Sequence, residues 1–180
     1  MKGIIFTSFI EMVEEKFGLE LSDSIIEESS LASKGVFSSV GTYPFSDMVA
    51  LVVKLHEKTA IPIADLLKTF GHYLFNVLAE RYPQIVENLN CSFSFLAAID
   101  NHIHVEVHKL YPNAELPSFV VEKNEDNQLI LLYRSPRKLA DLAEGLMEAS
   151  FNHFQEKIDI EKEVVEEDGS EVRFILKKAQ

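Results

Sequence analysis

The chain has 180 residues, 47% of them hydrophobic, enough to bury one core or two small lobes that share one. A formal net charge of -12 argues against nucleic acid and anionic membrane surfaces as partners, and a single cysteine, Cys91, excludes a disulfide or a cysteine-based zinc or iron–sulfur site. No apolar stretch is long enough to span a bilayer and none reads as a signal peptide, so a soluble, cytoplasmic protein is expected.

In chain order the first half reads as helices. Residues 2–17 place Ile5, Phe9, Val13 and Phe17 on one stripe, and Gly18 ends the pattern. A short helix over 23–28 buries Ile25 and Ile26, and 29–44 is mostly loop. Ser46 is placed to cap a helix running to residue 58 that buries Val49, Val52 and Leu55. Pro62 then opens a helix that buries Leu66, Phe70, Leu74 and Leu78 and stops at Pro83. Gly71 lies inside it, where glycine costs about 1 kcal/mol relative to alanine. A close helix crossing is the ordinary reason for such a glycine; a flat ligand lying against the helix is the alternative.

The stretch from Asp100 to Pro112 holds three of the six histidines. As a strand it would line up His102, His104, Glu106 and His108 on one face, a mononuclear metal site of the kind a hydrolase or oxygenase uses. As a helix it separates His102 from His104. Upstream, Phe93, Leu96, Ala97 and Asp100 carry the helical series into His104, Val107 and Tyr111, and Pro112 stops it. Helix is the better reading, and with Phe95, Ile99, Ile103 and Leu110 on its second side it should be buried nearly all round.

After Pro112 the pattern turns to strands. Residues 119–123 and 129–133 flank a polar turn at 124–127. A helix follows over 139–154 with Leu142, Leu146, Ala149 and His153 or Phe154 inward. Residues 158–165 and 171–177 make a second hairpin. This is an α+β pattern: a helical N-terminal lobe packed on a C-terminal lobe with a four-stranded antiparallel sheet and an inserted helix.

At the end of the first hairpin, Tyr133, Ser135 and Arg137 alternate. On an extended backbone they present a phenol, a hydroxyl and a guanidinium to one side, a set suited to a carboxylate. A histidine on a buried helix, a carboxylate cluster and a surplus of large apolar side chains, 13 phenylalanines among them, together meet the needs of haem: an imidazole for iron, partners for propionates and an apolar slot.

At these residues the chain resembles the haem nitric oxide/oxygen-binding (H-NOX) domains, related to the sensor domain of soluble guanylate cyclase. The likeness runs from the opening Met1-Lys2-Gly3-Ile4-Ile5 through His104 with Pro112 and Pro117 to the Tyr-x-Ser-x-Arg motif at Tyr133, Ser135 and Arg137. It is strongest to stand-alone bacterial members from facultative anaerobes such as marine gammaproteobacteria. The resemblance implies one haem-binding sensor domain over 1–180, with a mainly helical lobe at 1–60, a haem-ligating lobe at 61–180 and haem b between them. It implies His104 as axial ligand, Tyr133, Ser135 and Arg137 on the propionates, and Pro117, Ile5 and Leu146 against the porphyrin.

Oxygen-binding relatives carry a distal tyrosine where this chain has Leu142, and supporting polar residues where it has Phe9 and Leu74. The resemblance therefore implies selectivity for nitric oxide and carbon monoxide over oxygen, since iron-bound oxygen depends most on a hydrogen-bond donor. His72 is the histidine to check for a distal role. Nitric oxide would weaken the iron–His104 bond, free the helix and signal to a separate partner, a sensor histidine kinase or a cyclic-di-GMP enzyme. No enzymatic activity is expected of the domain itself.

Overall fold

A computed structural model of the protein describes residues 1–87 and 89–179. Helix α1 (Gly3–Phe17) starts where the chain is tied down: Lys2 bridges Thr42, and the Gly3 amide donates to the Gly41 carbonyl at 2.8 Å. It ends at Gly18, whose φ of 92° is open to glycine at no steric penalty. The buried face is turned slightly from the expected stripe. Phe6, Phe9, Met12 and Val13 are inside, while Ile5 and Phe17 are half-buried.

Helix α2 (Leu19–Glu27) begins earlier than the pattern predicts and buries Ile25 fully, with Ile26 partly covered. Helix α3 (Phe45–Thr59) follows Pro44, and the Ser46 side chain does not cap it. Its buried face is Met48, Leu51, Val52 and Leu55; Val52 and Leu55 are inside as expected, whereas Val49 is 44% exposed. Buried Asp47 holds the preceding loop, accepting the amides of Ala32 at 3.1 Å and Ser33 at 2.9 Å. Burial pushes its carboxyl up, but these bonds outweigh burial and keep it below the usual range.

Helix α4 (Ile63–Arg81) follows Pro62 and is the spine of the molecule. A 3-10 turn (Pro83–Ile85), α5 (Ser92–Ala97), a π-helical turn (Ile99–Ile103) and α6 (His104–Leu110) come next. The single helix read from the sequence is thus broken by a π turn, in which the Ile103 amide reaches back five residues to the Ala98 carbonyl. Nor is it buried all round: no residue of α6 is buried, and Val105 and Leu110 are 45% and 48% exposed. Cys91 is half-buried and caps α5 through its sulfur, which accepts the Ser94 amide.

Strands β1 (Ser118–Glu125), β2 (Gln128–Arg134), β3 (Ile158–Val164) and β4 (Glu171–Lys178) form a four-stranded antiparallel sheet in the order β1-β2-β4-β3. Helix α7 (Ala140–His153) is inserted between the hairpins and lies on α4. This is the α+β architecture read from the sequence.

Two apolar clusters make the core. One gathers Phe6, Phe9, Met12, Leu51, Leu55, Leu66, Phe70 and Leu74; the other gathers Phe75, Phe95, Leu129, Leu131, Tyr133, Met147, Phe174 and Leu176. Among the fully buried residues of α4 they divide between Leu74 and Phe75, and Leu78 and Leu146 pack against both. Gly71 accounts for the close approach of α4 and α7. A Cβ there would stand 2.4 Å from the Leu142 carbonyl oxygen, and one on Gly145 would stand 2.1 Å from the Lys68 carbonyl oxygen. The crossing, not a flat ligand, occupies the space beside Gly71. Among the described residues, no helix is long and apolar enough to cross a membrane.

Candidate functional site

Between the two clusters lies a cavity of about 350 Å³, within the range of small-molecule and cofactor sites. Helices α1, α4 and α7 give it Ile4, Ile5, Leu74, Phe75, Leu78, Leu142, Ala143, Leu146 and Met147. Every one of these is apolar, so these walls offer carbon and no side-chain hydrogen-bond donor. Pro117 also lines the cavity. Phe9 does not: it is fully buried behind the wall, edge-on to Phe70 at 5.2 Å.

His104 is the histidine that reaches the cavity. The π turn sets it one residue out of phase with α5, and it places Asp100 beneath the ring. Nδ1 of His104 is 2.9 Å from Oδ1 of Asp100, an approach off the N–H axis, and Oδ2 of Asp100 accepts the Phe119 amide at 2.8 Å. The carboxylate is thereby fixed to β1 and orients the ring, leaving Nε2 as the nitrogen for a ligand in the cavity. Burial lowers the pKa of His104, opposed only in part by Asp100, which favours the neutral imidazole a metal requires. Asp100 was legible as the residue one helical turn before His104.

The other histidines do not enter the cavity. His102 and His108 are exposed on the helical segment, which separates them from His104, and among the described residues no group of three or more His, Cys, Asp or Glu side chains could hold a metal ion. The strand-borne site of His102, His104, Glu106 and His108 is therefore not formed, because the backbone has helical and not period-2 geometry. His72 faces away and contacts Glu148 at 2.7 Å. His153 packs on Phe75 and Phe154.

At the rim, Tyr133, Ser135 and Arg137 all line the cavity, though not on one extended strand. Strand β2 ends at Arg134, and Pro136 turns the chain out of the sheet. The Tyr133 hydroxyl accepts the Leu139 amide at 3.0 Å, and the Ser135 hydroxyl accepts the Arg137 amide at 3.2 Å. Each hydroxyl keeps its own proton to donate. Burial pushes the Tyr133 phenol above its ordinary value. The Arg137 guanidinium lies over the Phe45 ring at 5.7 Å and donates to the backbone carbonyl of Glu115 at 2.8 Å and to its carboxylate. One nitrogen of the guanidinium thus already meets a carboxylate and the other a backbone carbonyl. That contact joins residues 22 apart and has no local signal in the sequence.

Tyr82 and Tyr111 also line the cavity, their hydroxyl oxygens 2.9 Å apart. Burial, followed by this hydrogen bond, pushes the Tyr111 phenol up to about 12. The donor set fits haem: one oriented neutral imidazole, an apolar wall, and a cationic, hydroxyl-bearing rim for carboxylates.

The comparisons agree with this chemistry. The sequence model of a family described as Haem-NO-binding matches residues 2–162. The fold is similar to the Fe(II) unliganded H-NOX protein from K. algicida, 47% identical, with a TM-score of 0.96 over 100% of this chain and 97% of that one. It is also similar to an H-NOX protein from S. oneidensis in the Fe(II)NO ligation state, 32% identical, with a TM-score of 0.92 over 100% of both chains. Soluble guanylate cyclase gcy-33 of Caenorhabditis elegans is 27% identical over 139 residues, which make up 76% of this chain but only 14% of that protein.

Proposed function

The chain belongs to the haem-NO-binding family of haem-based gas sensors, and from that premise we propose how this member uses its own residues. It senses nitric oxide and carbon monoxide at a ferrous haem b, discriminates against oxygen, and reports to a separate partner protein in the cytoplasm. His104 is the residue that holds the iron. Arg137, Ser135 and Tyr133 hold the propionates, and Ile5, Pro117 and Leu146 pack on the porphyrin.

A haem held here would supply an iron able to bind a diatomic gas, with His104 as the residue that would ligate it. The observation that carries the selectivity is the wholly apolar contribution of α1, α4 and α7 to the cavity. Of the three gases, oxygen would depend most on a hydrogen-bond donor, and Leu74 and Leu142, which line the cavity, offer none.

His104 would hold the iron of a bound haem, and a gas that weakened that hold would act on this chain through His104. Such a change would be passed to α6, a helix with no fully buried residue that touches the core through half-buried Val107. Movement of α6 alters the surface that meets the partner, and the partner class we assign is a sensor histidine kinase or a cyclic-di-GMP enzyme. The test is an absorption spectrum of the ferrous protein without air, with each gas, and in air. Nitric oxide and carbon monoxide should each shift an intense Soret band. A stable, reversible spectrum with oxygen would sink the selectivity.

A further inference from the structure

Two helices of this chain end in the same dipeptide, α4 at Tyr82-Pro83 and α6 at Tyr111-Pro112. Proline disfavours helical backbone at the residue before it. Both tyrosines leave the helix in the same way, Tyr82 at φ -133°, ψ 65° and Tyr111 at φ -134°, ψ 77°. The matched stops bring the two half-buried phenols together at 2.9 Å, although the residues are 29 apart in sequence.

Helix α6 has no fully buried residue and meets the core only through half-buried Val107, so contacts at its ends matter to where it sits. Its first end is secured through Asp100, which accepts the Phe119 amide and faces His104. Its last end is secured by Tyr111, whose ring also lies 5.8 Å under the ammonium of Lys2. We infer that the Tyr82–Tyr111 hydrogen bond is a clasp between α6 and α4 that sets the resting position of α6, and through it the position of His104 over the cavity. Tyr82 and Tyr111 are then positioning residues for gas sensing. The functional half of this inference rests on His104 being the iron ligand; the clasp itself does not.

The test uses the full haem-loaded chain with Tyr82→Phe, Tyr111→Phe and the double replacement, which keep both rings and remove only hydroxyls. Hydrogen exchange of residues 104–111 and the iron–histidine stretching band are read together. Each single replacement should speed exchange about two- to tenfold, the worth of one net hydrogen bond, and the double should be no worse than either single, because the bond is lost with the first hydroxyl. The band should move by the same amount in all three. Additive effects on exchange would overturn the clasp, as would a lower melting temperature with exchange and band unmoved. A His104→Gly protein that keeps the wild-type band would sink the ligand assignment instead, and the exchange cycle would still decide the clasp.

Discussion

Where α4 crosses α7 there is no room for a methyl group at Gly71 or Gly145, and each would strike the backbone of the other helix. Where α6 runs past the same cavity, none of its residues is fully buried, and beyond half-buried Val107 it is held through contacts at its two ends. The two surfaces meet one ligand with opposite mechanical properties. A close-packed crossing keeps the shape and polarity of its wall constant. A helix fixed at two points has few contacts to lose and moves at low energetic cost. A sensor needs both, one side to choose the ligand and the other to report it.

The most severe break comes on the loose side. His104→Gly should abolish haem retention, and free imidazole should restore it by filling the vacated space. Loss of haem from a His102 replacement, with the His104 replacement unaffected, would overturn the assignment. Next is the rim. Arg137→Ala removes a charge-assisted fork worth about 1.5–3 kcal/mol per bond, less what water recovers and less the Glu115 contact given up on loading. Haem dissociation should be about tenfold faster with the iron–histidine band unchanged. An unaltered off-rate would place Arg137 outside the propionate contacts.

The rigid side should answer more quietly. Gly71→Ala or Gly145→Ala forces the helices apart and should cost about 1–3 kcal/mol. For a domain of this size that is about 2–4 °C of melting temperature per kcal/mol. Because Leu142 and Leu146 stand directly over Gly71, the Gly71 variant should also perturb the gas spectra, whereas an alanine at the exposed Val105 should not. Equal melting temperatures for wild type and both glycine variants would mean that the crossing is not tight in solution. The smallest expected effect is Leu142→Tyr. One added donor is worth about 0.5–1.5 kcal/mol, at most about tenfold in oxygen affinity, since Leu74 has nothing with which to orient the phenol. A larger gain would show that other groups support the new hydroxyl.

Much of the fold was legible because it is written locally. Gly18, Pro62 and Pro112 mark helix limits wherever the rest of the chain lies, and apolar runs on either side of a polar turn mark both hairpins. The cap at Ser46 was misread because Pro44 stops the turn first and the helix starts at Phe45. The phase of a helix is harder to read than its extent. Val49 was placed inside and lies outside, and the apolar series from Phe93 to Tyr111 concealed a π turn, since one inserted residue leaves composition and hydropathy almost unchanged.

The sequence by itself determined the α+β class and offered the Tyr133, Ser135 and Arg137 cluster, because each depends on residue type and short spacing, while His104 was singled out through the resemblance to a known family. Only the tertiary structure decided that Leu74 lines the cavity while Phe9 stands behind it, that His72 turns to Glu148, and that Arg137 grips Glu115. It also decided that α4 belongs to both cores and that Tyr82 meets Tyr111. The physical reason is the same in each case. Periodicity reports which way a side chain leaves its own backbone, whereas a contact depends on where a second element has been brought, and that follows from packing the whole chain at once.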